Sequence, residues 1–177
     1  MTMRVNTARR GRLALTIALL ASAAVAGIVN AAPAAEGGQK FSVTLRGANE
    51  CTNAGVCGAG EPNASGTADL TINPGQRRIC WEITTTGIHT QYTITGAHIH
   101  PGAAGTNGGV LVHLSAAKNG TATGCVDTTR AVINDILAAP QNFYINIHYV
   151  DQDPADPALP SFAPGGIRGQ IVKGRLK

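Results

Sequence analysis

The chain has 177 residues, of which 14% are charged and 22 are glycine, with 14 Lys+Arg against 10 Asp+Glu for a formal charge of +4. That length suits one domain with appendages. The basic excess is local: Arg4, Arg9, Arg10 and Arg12 precede the first acid, Glu36, and without those four the charges balance, which argues against nucleic acid and anionic membranes as partners.

Residues 1–31 have the three-part layout of a secretory signal peptide: a basic start, an apolar run from Leu13 to Val29, and the small-residue pattern Val29–Asn30–Ala31. The apolar run, about 17 residues, is at the short end for a bilayer span, so a cleaved signal is expected rather than an anchor, and no stable membrane span after processing. Arg12 stands where a twin-arginine signal prefers an apolar residue, which favours general secretion to the periplasm or the exterior. Residues 32–39 read as a flexible leader, and 40–177 as the working domain.

That domain begins with period-two alternation. Phe41, Val43 and Leu45 share one strand face, and so do Ala68, Leu70 and Ile72 before the turn residues Asn73–Pro74–Gly75. Ile79, Trp81 and Ile83 follow on one face, so the two runs around the turn form a hairpin. Further strands are expected at about 91–100, 109–114, 122–127, 142–149 and 167–173. Between them, Val132, Ile133, Ile136 and Leu137 recur at helical spacing, with Asp127 or Thr128 as cap and Pro140 as stop, which predicts one short helix at about 129–139. Asp151, Asp153 and Asp156 with four prolines make 151–166 a long exposed loop. The expected fold is all-β: an antiparallel Greek-key sandwich or flattened barrel with one helix.

Four cysteines allow three pairings, and none has the two-residue spacing of zinc knuckles or thioredoxin-like sites. In an oxidising compartment Cys51–Cys57 would close a loop, and Cys80–Cys125 would join two strands for about 3–4 kcal/mol.

Three of the five histidines lie in two strand-like segments. The H-x-H spacing of His98 and His100 puts both rings on one strand face, and His148 shares a face with Asn146 while Ile145 and Ile147 share the other. If the two strands are neighbours, three imidazoles converge, and such a set suits Zn(II) or Cu(II) with an open position. A hydrogen-bonded structural cluster and another kind of ligand site are the competing readings. His113 is expected to face solvent, and His89 carries little information. Arg168 alternates with Ile167, which puts it on the histidines' side, where it could serve an anionic ligand together with Asn146 or pair with a loop aspartate. The Gly-rich stretch 102–109 has no Lys-Ser/Thr ending and reads as a flexible connection, not a phosphate loop. The serines lack a nucleophile elbow, and Asp151, Asp153 and Asp156 lack a calcium-loop pattern.

Several segments together resemble the chordin-type (CHRD) domain: Gly66–Thr67–Ala68, Ile79–Cys80–Trp81–Glu82–Ile83, Gly96–Ala97–His98–Ile99–His100–Pro101–Gly102, Tyr144–Ile145–Asn146–Ile147–His148 and Gly166–Ile167–Arg168–Gly169–Gln170–Ile171. The resemblance runs over about 40–173; the Cys51–Cys57 loop and the stretch 151–164 depart from the family pattern. CHRD domains occur in animal chordin, an extracellular antagonist of growth factors of the bone-morphogenetic type, and in many secreted bacterial proteins. The resemblance implies a non-enzymatic extracellular binding or structural module, its partner an extracellular protein or a small ligand. At the level of fold and motif the H-x-H strand is also similar to that of copper/zinc superoxide dismutase, which implies as the alternative a Cu- or Zn-binding protein using His98, His100 and His148.

Overall fold

A computed structural model describes residues 37–151 and 165–173; the signal segment, most of the leader and the core of the Pro/Asp-rich loop lie outside the described residues. Eight strands form one sheet: β1 (Gln39–Arg46), β2 (Ser65–Asn73), β3 (Arg78–Thr86), β4 (Tyr92–Pro101), β5 (Val112–Leu114), β6 (Thr121–Asp127), β7 (Phe143–Asp151) and β8 (Ile167–Gln170), with the helix α1 (Arg130–Ala138) between β6 and β7. Strand order is β5-β4-β7-β8-β1-β2-β3-β6, and every pairing is antiparallel. The edge strands β5 and β6 approach within 8 Å, Cα to Cα, so the sheet is a nearly closed barrel. The chain runs β1-β2-β3 as a meander, leaves for β4 across the gap, returns to β6 beside β3, and crosses again through α1 to β7 beside β4. These two crossings make the expected Greek-key arrangement.

Alternation decides what fills the barrel. Phe41, Val43, Leu45, Ala68, Leu70 and Ile72 point inward from β1 and β2 and meet Ile79 and Ile83 of β3 and Ile145 and Ile147 of β7. Ile133 and Ile136 of α1, one helical turn apart, join the same core. The helix starts one residue later than expected and is capped by Thr129, whose hydroxyl accepts from the Val132 N–H at 3.2 Å, not by Asp127 or Thr128. β5 is shorter than expected because residues 109–111 still belong to the connection from β4.

Both disulfides form as expected. Cys80 and Cys125 are direct cross-strand partners and tie the edge strand β6, half of whose side chains face solvent, to β3. Closing a loop of 45 residues contributes about 4 kcal/mol in the chain-entropy model. Cys51–Cys57 closes a six-residue span, worth about 2 kcal/mol by the same reasoning, and its half-cystines also pair as an isolated β-bridge.

Candidate functional site

The site is built on the outer face of β4, β7 and β8. A register shift between Ile94 and Gly96 bulges β4. Before it, even-numbered Tyr92 and Ile94 pack on the core; after it, Ala97 and Ile99 do, and His98 and His100 turn outward. Cross-strand pairing then sets two rows on the outer face. His113, His98, Asn146 and Arg168 are successive partners in one; His100, Tyr144 and Gln170 are successive partners in the next.

His148 pairs with Gly96, not with a histidine. The His98 ring lies over that glycine: a Cβ there would stand 2.6 Å from His98 Cε1. The missing side chain thus brings His98 to 5.2 Å from His148, ring centroid to centroid, and His100 stands 5.5 Å from His98 and 5.7 Å from His148. One ring nitrogen of each lies within 4.8 Å of the other two. His113, expected in solvent, is exposed, yet its ring stands edge-on to His98 at 4.9 Å.

The Gly-rich stretch 102–109, expected as a flexible connection, is bonded down along its length as a cover. His100 Nδ1–H donates to the Gly108 carbonyl at 3.0 Å, and the Tyr144 hydroxyl accepts from the Gly108 N–H at 3.2 Å. Gln170 donates to the Gly102 carbonyl at 2.6 Å. Arg168 donates to Asn107 Oδ1 at 2.8 Å and to the carbonyls of Ala103 and Thr106 at 3.1 and 2.8 Å, with its guanidinium 3.4 Å from the Tyr144 ring centroid. Asn107 in turn donates to the Cys51 carbonyl at 2.8 Å and to Asn53 Oδ1 at 3.1 Å, which ties the cover to the Cys51–Cys57 loop. Arg168 is thereby only 1% exposed and spends its donors on the cover loop; of the loop aspartates expected as its partner, Asp153 and Asp156 and the side chain of Asp151 lie outside the described residues. The carboxylate whose field it feels is the buried Glu50, whose pKa burial pushes up to about 7 against the lowering effect of the Cys51 N–H and of Arg168. Asn146, 2% exposed, lies between His98 and Arg168 and presses against Gly165.

Burial sets the charge state of the rings. It pushes His98 down to about 4, helped by repulsion from His148, His100 and His113. It lowers His148, with His100 adding to the effect, and it lowers His100 despite that ring's bond to Gly108, with Arg168 and His113 pushing the same way. All three are neutral at neutral pH. His98 Nδ1, His100 Nε2 and His148 Nε2 are buried and take no hydrogen-bond partner among the described residues. The tautomer of His100 is fixed: its Nδ1 donates, so Nε2 offers a lone pair.

These donors fit a borderline transition metal. Tetrahedral ligands at about 2.1 Å from an ion stand about 3.4 Å apart, so closing from 4.8 Å takes ring movements on the order of 1 Å. Three nitrogens with neither carboxylate nor thiolate among them suit Zn(II) or Cu(II) and are wrong for Ca(II) or Mg(II). A cleft of about 270 Å³, lined by Asn53, His100, Asn107, Gly108, Tyr144, Asn146 and His148, leads to the cluster. Tyr144 and Asn107 escaped the sequence reading. Tyr144 has the parity of Asn146 and His148 and could have been found; Asn107, in an irregular loop, carries no such signal.

A disulfide-tied, nearly closed antiparallel barrel with a covered polar face defines an all-β module. The model of the CHRD domain matches residues 41–156, well over half the chain, and the chain belongs to that family. The match includes all three clustered histidines and ends before the Gly166–Ile171 segment. Comparison with curated proteins and with solved structures returns no match, the dismutase likeness included.

Proposed function

We propose that this CHRD-domain protein is an exported, non-enzymatic binding module that takes up a copper or zinc ion through His98, His100 and His148. Two observations carry the reading: each of the three histidines has a buried ring nitrogen without a hydrogen-bond partner among the described residues, and one ring nitrogen of each lies within 4.8 Å of the other two. A buried polar atom left unpaired costs about 1–3 kcal/mol, so a purely structural cluster carries that cost three times, whereas an ion relieves it at once. Export is supported by the signal-like residues 1–31 and by two disulfides.

The test is metal content. Untagged protein reconstituted with Cu(II) or Zn(II) and dialysed is expected to retain one ion per chain, and His100→Ala to retain almost none, with circular dichroism confirming that the variant is folded. Retention of no metal by the wild type leaves the module reading, with an extracellular protein or a small molecule as ligand, and removes the ion.

A further inference from the structure

We infer that the cleft beside the histidines binds a small monoanion as an added ligand of the ion held there, an inference that rests on the metal reading above. His100 and His148 form part of the cleft wall, while His98 lies beyond them toward β5. An ion held by three imidazoles keeps an open position, and this cavity reaches two of its three ligands.

The lining selects negative charge. Among the described residues no carboxylate lines the cleft. The Tyr144 hydroxyl accepts from the Gly108 N–H and keeps its own proton to donate. Asn53 uses its Oδ1 to accept from Asn107, which leaves its amide N–H groups for an incoming acceptor. The Arg168 guanidinium, stacked on the Tyr144 ring at 3.4 Å, puts a full positive charge behind this wall. Hydrogen bonds to a charged acceptor are roughly twice as strong as neutral ones, so a monoanion outcompetes water for these donors. The volume, about 270 Å³, falls below the range of drug-sized sites and suits a ligand of a few atoms.

Azide is the probe. Untagged Cu(II)-loaded protein is titrated with it and followed by absorption and by electron paramagnetic resonance, after copper content has been measured on each variant. Saturable azide-to-copper charge transfer is expected, with a dissociation constant per bound copper about tenfold weaker in Asn53→Asp and severalfold weaker in Tyr144→Phe. Absence of copper uptake by the wild type overturns the metal reading and this inference with it. Full uptake with no azide response, including a fourth position already filled by a His113 nitrogen, overturns the anion inference alone. Equal azide affinity in the wild type and both variants overturns it too, since copper and not the cleft would then be the binder.

Discussion

Gly96 carries no side chain, and the His98 ring lies in the room this leaves, beside the His148 that faces Gly96 across the ladder. The position has an ordinary strand conformation, so it is space and not backbone freedom that asks for glycine there. A Cβ would stand 2.6 Å from His98 Cε1 and 2.9 Å from its Nε2, and the ring, being the movable partner, would turn away from His148. Gly96→Ala is therefore expected to fold with a loss of about 1–2 kcal/mol in a denaturant titration. Its retained copper should fall well below the wild-type level under the same dialysis. Unchanged copper would show that His98 is not a ligand and that the pair His100 and His148 holds the ion with something else. Arg168 illustrates the reverse case. Its side chain faces outward by parity yet is buried, because a loop arrives over it and takes three of its hydrogen bonds.

At the scale of elements, the cover loop and the Cys51–Cys57 loop behave as one latch, and Asn107 is the joint. Its Oδ1 accepts from Arg168, and its Nδ2 donates to the Cys51 carbonyl and to Asn53. Asn107→Ala leaves a buried guanidinium short of one acceptor and the Cys51 carbonyl short of its donor. A loss of about 1–3 kcal/mol in global stability is expected, together with faster amide hydrogen exchange at Gly108, whose N–H is held by Tyr144. Exchange in β3, three strands from β8 in the sheet order, should change only with the global term. The latch was not legible in the sequence, because its bonds join residues 54 to 65 positions apart through loops that have no periodicity. The strands were legible because period two writes the buried face into the residue order, and for that reason His98, His100 and His148 could be assigned to one face. What the pattern did not contain was the bulge between Ile94 and Gly96, which sets that face, and the glycine that lets two non-paired histidines meet.

At the scale of the whole molecule, two groups of buried ionisable residues oppose each other as pH changes. His98 is pushed down to about 4 from 6.5 in the unfolded chain, and His100 and His148 are lowered as well, chiefly by burial. Below 6.5 the unfolded chain takes up protons that these rings refuse, so their part of the stability falls as pH drops from 6.5 toward 4. Glu50 has the opposite sign: with its pKa raised from 4.5 to about 7, the unfolded chain loses a proton that the folded protein retains, and stability falls as pH rises from 4.5 to 7. In the shared window three bases work against one acid, and the bases prevail. The exposed Arg78–Asp127 pair adds little to this balance. Metal-free protein is thus expected to gain stability from pH 4.5 to about 6.5 and to reach a plateau near 7, read as urea midpoints at constant ionic strength. Glu50→Gln removes the opposing proton while keeping an acceptor for the Cys51 N–H, so its midpoints should rise more steeply across that window. A slope no steeper than the wild type's would mean that Glu50 is ionised in the folded protein, held charged by Arg168 in spite of its burial.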